Sequence, residues 1–156
     1  MKALTLTQPW ATLVANHWKS IETRSWATSY RGPIAIHAAK RFPADCKDLC
    51  YEEPFKTALG MPEGTELLWR PPEPVWVKEA KAIVDELPLG MVIATARLVD
   101  CVTTEEVSLG RSITVQEELF GNYEPRRFAW LLEDVQGLLR FVPAKGMLFG
   151  LWEWRQ

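Results

Sequence analysis

The stretch GMVIATARLVDCV, residues 90–102, decides the fold. Its residues are nearly all apolar or small, which is typical of a strand that is buried on both faces. We therefore place it at the centre of a sheet. FAWLLEDV (128–135) and GLWEW (150–154) are predicted to be the last strands of the same sheet.

The first 41 residues are predicted to add three strands and one helix. ALTL (3–6) reads as a first strand, and Thr7 or Gln8 then caps a short helix with a proline in its first turn. The stretches 19–26 and PIAIHA (33–38) follow as the second and third strands.

Residues 42–89 differ in character and are predicted to be a helical insertion that lies over the sheet. The segment 45–60 looks helical until Pro54 interrupts it, RPPEPVW (70–76) is extended by its prolines, and VWVKEAKAIVDEL (75–87) is an amphipathic helix. Residues 105–127 are read as a polar, turn-rich connection. The whole pattern favours one α+β, mostly β domain over residues 1–156, a small and partly closed β-barrel with peripheral helices.

Composition excludes several classes of protein. With 156 residues, the chain has the length of one domain that can bury a core. No apolar run reaches membrane-spanning length, and MKALTLTQPW is too polar and too soon interrupted by Pro9 to be a signal peptide. Three cysteines, an odd number, do not suggest a disulfide framework, so we expect a cytoplasmic protein without membrane association.

The sequence offers few residues that could bind a metal ion or a cofactor. Cys46 and Cys50 are four residues apart on one helical face, but neither of the two histidines is near them in sequence. The chain has no glycine-rich phosphate loop and no Ser-His-Asp set. We therefore expect neither a metal site nor a cofactor.

Charge is distributed unevenly along the chain. The net charge is −2, yet residues 1–41 carry six basic residues against the single acid Glu22, a local charge of +5. A basic first quarter on an acidic body indicates a localised anion site. The alternative is that these neighbours in sequence scatter in space.

The strand predicted at residues 19–26 places charged residues on one face. Ile21 points to one side of the sheet, whereas Glu22, Arg24 and Trp26 point to the other. Lys19 has the wrong parity, but it lies where helix passes into strand and could turn toward Glu22. This arrangement is either a binding site or a surface ion pair, which would contribute about 0–1 kcal/mol.

Two other groups extend this candidate site. His37 shares a face with Ala35 of the same strand and is either a core histidine or the rim of a pocket, and Lys40 and Arg41 follow it. Trp26 and Tyr30 lie in the same basic quarter, where aromatic rings can stack on bases beside cations that bind phosphate.

The octet HWKSIETR (17–24) resembles the Gly-x-Lys-x-x-Glu-x-Arg motif of ASCH domains, which are PUA-like β-barrels. The flanks are similar as well, and with the octet they cover most of the chain except residues 42–89: LTLTQPWATLV, YRGPIAIHAAK, GMVIATARLVDC, FAWLLEDV and KGMLFGLWEW. The resemblance implies a cleft between barrel and helix, lined by the motif, that binds RNA or a nucleotide-like ligand.

The resemblance also implies an enzymatic alternative. One small bacterial branch of the family hydrolyses the amide of N4-acetylcytidine with the motif lysine, a threonine at the motif's Glu position and a downstream glutamate. Lys19 matches the lysine, Glu22 replaces the threonine, and Glu117 or Glu118 would supply the acid. Some members have been proposed as ribonucleases.

One residue departs from the family motif. The motif's glycine falls on His17, for which a left-handed backbone costs about 1–2 kcal/mol. We therefore expect Asn16 to take that turn instead.

Three hypotheses follow. In the first, the protein is a module that binds RNA or a nucleotide: Glu22 accepts from an exocyclic amine, Trp26 or Tyr30 stacks on a base, and Arg24, Lys40 and Arg41 face phosphate. In the second, it is an amidohydrolase that acts on N4-acylated cytidine, with Lys19 assisting proton transfer. In the third, the insertion at residues 42–89 binds a protein partner.

Overall fold

The computed structural model describes residues 1–61, 75–110 and 113–155. Within them, six strands form one mixed sheet: β1 (Lys2–Leu6), β2 (Ile21–Arg24), β3 (Gly32–Ala38), β4 (Met91–Thr103), β5 (Phe128–Pro143) and β6 (Trp152–Glu153). The helices are α1 (Trp10–Ala15), α2 (Ala44–Leu49), α3 (Phe55–Ala58), α4 (Val75–Asp85), α5 (Thr104–Gly110) and α6 (Val115–Phe120). The fold is α+β and mostly β, as predicted.

The sheet order, β2-β5-β4-β3-β1-β6, confirms the central position of the stretch at residues 90–102. Strand β4 pairs antiparallel with β3 on one side and with β5 on the other, and its residues Ala94 and Leu98 are fully buried. Strands β1 and β3 are parallel, and α1 makes the crossover that this arrangement requires.

The prediction of a small, partly closed β-barrel is wrong in its architecture, because the sheet is not closed into a barrel. A barrel requires its two outer strands to pair with each other along a shared length. Here the outer strands are β2, with four residues, and β6, with two, and each pairs with only one neighbour. Register shifts between β4 and β5 curve the sheet. The side chain of Arg24 on β2 reaches β1 across the open seam, where its Nη2 donates to Thr5 O at 2.6 Å.

The main core lies between the sheet and α1. It contains Leu4, Val14, Ile36 and Trp130, and Trp130 is fully buried, as its place in an apolar strand predicted. The helices of residues 42–89 have a cluster of their own around Cys50 and Val84. A third cluster joins α1, α3 and α6 through Leu13, Phe55, Ala58 and Phe120.

Two helices replace the turn-rich connection that was predicted at residues 105–127. Both α5 and α6 have glutamates in their first turn, and α6 begins with Thr114, whose hydroxyl accepts from the Glu117 backbone N–H. The extended stretch predicted at residues 70–76 lies almost wholly outside the described residues. Nowhere in the described ranges is there a helix with the length and apolar character needed to span a bilayer.

Candidate functional site

The turn between α1 and β2 directs Lys19 into the protein. His17 N donates to Val14 O and Trp18 N donates to Leu13 O, which is the Schellman arrangement at a helix C-terminus. His17 itself adopts the left-handed conformation, with φ of 63°, whereas Asn16 has φ of −96°. The expectation that Asn16 takes this turn is therefore wrong: the position of the motif glycine keeps its geometry even though histidine occupies it.

Lys19 is the most buried charged residue of the described chain, with 1% of its surface exposed. Its ammonium group donates to the carbonyl of Ile21. Nζ also lies 3.5 Å from Glu117 Oε1 and 3.9 Å from Glu22 Oε2. Two carboxylates thus compensate the buried positive charge, as burial of a cation requires.

Of the two candidate acids on α6, the structure brings Glu117 to the site and leaves Glu118 exposed. Glu117 Oε2 accepts from the Ser20 backbone N–H at 2.9 Å and from the Ser20 hydroxyl at 3.1 Å, and Oε1 accepts from the Ile21 N–H at 3.0 Å. In a capping box a glutamate at this helix position would bond back to its own N-cap. Here it fastens α6 to the start of β2.

Glu22 and Arg24 form the second half of the network. Arg24 Nε lies 3.1 Å from Glu22 Oε1, and the same guanidinium holds Thr5 O. Ile21, on the opposite face of the strand, is buried against Val107 and Ala129. Burial of Glu22 and half-burial of Arg24 distinguish this pair from a solvated surface ion pair.

A cavity of about 320 Å³ opens beside Lys19 and Glu22. We call it the Glu22 cavity. Its apolar wall is made of Trp10, Leu49, Phe55 and Phe120, and its polar wall adds Thr23, Asn122 and Arg127 to the two charged residues. Glu117 does not line it. A concave, largely apolar site with a few converging polar groups can hold a small organic ligand.

Each polar wall residue is fixed by the fold. Asn122 N donates to Thr23 Oγ1 at 3.0 Å, while Arg127 donates to Asn122 O and to Thr23 O, both at 3.2 Å. Trp10 Nε1 donates to Phe120 O at 2.8 Å, which holds its ring in the wall. The cavity is thus preformed.

Tyr123 is a further group near the two carboxylates. Its hydroxyl is buried and has no hydrogen-bond partner among the described residues. Burial raises the pKa of this phenol, and the nearby Glu117 and Glu22 raise it further, so Tyr123 stays protonated.

The predicted stacking residues lie elsewhere. Trp26 packs edge-on against Trp130 at 4.5 Å between ring centroids, and its carbonyl accepts from Trp130 Nε1. Tyr30 donates its hydroxyl to Pro33 O. Neither lines the Glu22 cavity, whose aromatic residues are instead Trp10, Phe55 and Phe120. Sequence reasoning missed the two phenylalanines, because they lie in the predicted insertion and in the predicted turn-rich connection and carry no chemical signal.

A second cavity, of about 300 Å³, contains His37, Lys40 and Arg41. We call it the Lys40 cavity. His37 forms its floor: Nδ1 lies 3.1 Å from Thr5 Oγ1, and Nε2 lies 3.2 Å from Ala144 O. Burial lowers the pKa of His37 more than the hydrogen bond to the carbonyl raises it, so the imidazole is neutral. His37 is therefore both a hydrogen-bonded interior residue and the base of a pocket.

The basic first quarter does not form one patch. Lys2 pairs with Glu153 at 2.7 Å and Arg31 with Asp100 at 3.0 Å, both on the surface. Lys19 and Arg24 are neutralised within the motif. Only the last two of the six basic residues reach the Lys40 cavity.

A family model for the ASCH domain matches residues 4–139, most of the chain. The protein belongs to the ASCH family. The match includes the motif lysine, glutamate and arginine, which are the residues joined in the network around Lys19. Membership in the ASCH family is consistent with an RNA-binding, PUA-like module and suggests a nucleic acid or nucleotide ligand. No curated protein matches the chain.

Metal binding finds no support in this ASCH domain. In residues 1–61, 75–110 and 113–155, no group of three histidine, cysteine, aspartate or glutamate side chains is arranged to hold a metal ion. The buried carboxylates at the site are engaged by Lys19, Arg24 and backbone N–H groups instead.

Proposed function

We propose that this protein binds RNA or a nucleotide and holds one unpaired base in the Glu22 cavity. The observation that carries the proposal is a buried carboxylate, Glu22, in the polar wall of a preformed cavity whose other wall is aromatic and apolar. Such a carboxylate accepts hydrogen bonds from an exocyclic amine, and the aromatic wall provides contact area for a base. Arg127 lines the same cavity and supplies a cation for the sugar-phosphate side.

The buried network supports a binding role for the motif. Lys19 is enclosed by Glu117, Glu22 and the Ile21 carbonyl, so it fixes the position of the Glu22 carboxylate. Arg24 does the same from the other side. Glu22 thereby has one orientation before any ligand arrives, which lowers the entropy cost of binding.

Binding of cytidine and uridine, measured by calorimetry, tests this proposal. Cytidine has an exocyclic amine and uridine has none, so cytidine should bind more tightly. Glu22→Gln should weaken cytidine binding about 10- to 100-fold, because a hydrogen bond to a charged group contributes about 1.5–3 kcal/mol. Glu118→Gln is the matched control, since Glu118 is exposed on α6 and should leave affinity unchanged. Equal affinity for both nucleosides, unaltered by Glu22→Gln, would contradict the proposal.

A second candidate function is hydrolysis of N4-acylated cytidine. It is favoured by one observation: Lys19 Nζ lies within 4 Å of both Glu117 and Glu22 at the wall of the cavity. Water would add to the acyl carbon, the C–N4 bond would break, and a proton would pass to N4. The products would be cytidine and a carboxylic acid.

Lys19 distinguishes the two candidates. Arginine cannot give up its proton in a protein, so a proton-transfer role predicts that Lys19→Arg and Lys19→Ala both lose about 100-fold or more in turnover of N4-acetylcytidine. A binding role predicts no turnover by the unaltered protein and retained cytidine affinity in Lys19→Arg. Product formation followed by chromatography, with thermal unfolding as a check on folding, separates these outcomes.

A further inference from the structure

The basic side chains of the Lys40 cavity come from two chain segments that leave the sheet side by side. Lys40 and Arg41 follow β3, and Lys145 follows β5. Gly90, just before β4, joins the two segments: its N–H donates to Ala38 O, and its carbonyl accepts from Ala144 N. Three basic side chains from two distant parts of the sequence thus converge on one concavity.

These three cations have no carboxylate partner. Within the described ranges, neither Lys40, Arg41 nor Lys145 forms an ion pair, and no acidic residue lines the cavity. A second hollow of about 450 Å³ adjoins it and shares Lys40, Ala144 and Lys145. The two lysines therefore stand over a groove that continues beyond the first cavity.

The floor of the cavity is rigid. The Trp152 indole N–H donates to Thr5 Oγ1 at 3.0 Å, the Thr5 hydroxyl contacts His37 Nδ1, and His37 Nε2 contacts Ala144 O. Gly146 packs so closely over this chain that an added Cβ would lie 2.4 Å from His37 Nδ1. The three cations therefore surround a cavity whose floor keeps its shape without a ligand.

Arg24 connects this cavity with the Glu22 cavity. One guanidinium group contacts Glu22, which lines the first cavity, and the backbone carbonyl of Thr5, which lines the second. The two cavities therefore lie on either side of a single side chain. A ligand that occupies both cavities has to pass Arg24.

We propose that the Lys40 cavity binds backbone phosphates of a single-stranded nucleic acid whose base occupies the Glu22 cavity. This inference rests on the proposed function, and it makes the preferred ligand an oligonucleotide rather than a free nucleoside or nucleotide. Lys145, which sequence reasoning did not single out, becomes a phosphate contact together with Lys40 and Arg41. Cations without protein partners release bound counterions when phosphate docks, so binding depends steeply on salt.

The test compares a fluorescent single-stranded RNA of eight nucleotides with cytidine, across a range of salt concentrations. For the unaltered protein, log affinity for the RNA should fall with log salt at a slope of about −2 to −4. Replacement of Lys40, Arg41 and Lys145 by alanine together should reduce that slope by about two units and weaken RNA binding about tenfold or more, with cytidine affinity unchanged. Arg97→Ala removes one exposed cation, paired with Asp134 on another part of the sheet, and is the control for loss of positive charge outside the cavity; its slope should stay within about one unit of that of the unaltered protein.

The outcomes separate the inference from the proposed function. RNA that binds no better than cytidine, with a slope near zero, overturns the phosphate site while cytidine binding survives. A triple variant with the slope of the Arg97→Ala control overturns it as well. Inorganic phosphate that competes as strongly as the RNA would assign the cavity to a free anion and also contradict the proposal. If the unaltered protein does not bind cytidine, the proposed function itself is contradicted.

Discussion

Lys19 and Lys40 are both basic residues of the same short N-terminal stretch, but the fold uses them in opposite ways. Lys19 is almost wholly buried and lies within 4 Å of two carboxylates, whereas Lys40 is exposed beside two other cations and without a carboxylate partner in the described chain. The charge of Lys19 is compensated by carboxylates inside the protein, whereas the charge of Lys40 remains available to a ligand.

This difference has an energetic basis. A buried cation is expensive unless it is paired, so the network around Lys19 is sensitive to the loss of any one member. An exposed cation is solvated and costs little, so Lys40, Arg41 and Lys145 can be changed without unfolding the protein. Mutation of Glu117, which does not line the Glu22 cavity, should therefore act mainly on stability, and mutation of these three exposed cations mainly on binding.

The strongest test of this contrast is Glu117→Gln. The amide keeps the size of the side chain but leaves Lys19 with one carboxylate in place of two. Its NH2 group also replaces one of the two oxygens that each accept from a backbone N–H group, so one of those donors loses its acceptor. Removal of one partner of a buried ion pair costs about 3–5 kcal/mol, which we expect as a loss in the free energy of unfolding measured with urea.

The neighbouring glutamate provides the control for that experiment. Glu118→Gln removes the same charge from the exposed side of α6 and should change stability by no more than about 0.5 kcal/mol. If the two variants unfold at the same urea concentration, Glu117 does not anchor the buried cluster and the contrast with the Lys40 cavity fails.

The strands were readable from the sequence because their patterns are local. The run at 90–102 is almost wholly apolar or small, and FAWLLEDV places Trp130 in an apolar stretch; both segments lie in the sheet and bury these side chains. The sequence could not show that the sheet stays open. That depends on whether the two edge strands, β2 and β6, which are far apart in sequence, are long enough to pair.

The candidate site shows the same limit. The octet placed Lys19, Glu22 and Arg24 near one another, since three residues within six consecutive positions of a strand and its entry turn cannot be far apart. The sequence could not decide whether Glu117 or Glu118 is the acid at the site, because that depends on which side of α6 faces β2. Lys145 carried no signal at all: its contribution arises from the path of the chain after β5.

Gly146→Ala tests whether the floor of the Lys40 cavity is as rigid as the hydrogen bonds indicate. An added methyl group would lie 2.4 Å from His37 Nδ1 and 2.7 Å from Thr5 Oγ1, and both side chains are buried. Insertion of a methyl group where nothing can move costs about 1–3 kcal/mol. We expect that loss in thermal unfolding, together with weaker binding of single-stranded RNA.

Gly110→Ala is the matched substitution for comparison. Among the described residues outside its own helix and its chain neighbours, no atom lies within 4 Å of the added Cβ, and alanine is favoured over glycine in a helix by up to about 1 kcal/mol. It should therefore be neutral or slightly stabilising. Equal stability of the two alanine variants would show that the floor of the Lys40 cavity yields, and that the contrast between a rigid floor and the exposed cations around it is wrong.

The smallest expected effect concerns the turn that delivers Lys19 to its partners. His17 holds φ at 63° at the position after the helix cap, where the Schellman hydrogen bonds of Trp18 and His17 require a left-handed residue. Glycine adopts this conformation without the penalty of about 1–2 kcal/mol that other residues incur, although it also loses more entropy on folding. We therefore expect His17→Gly to raise the free energy of unfolding by about 1 kcal/mol, with cytidine and RNA affinities unchanged. Asn16→Gly, one residue earlier at φ of −96°, should give no such gain. If Asn16→Gly stabilises the protein and His17→Gly does not, the turn runs through Asn16 and the path that places Lys19 between its carboxylates has to be redrawn.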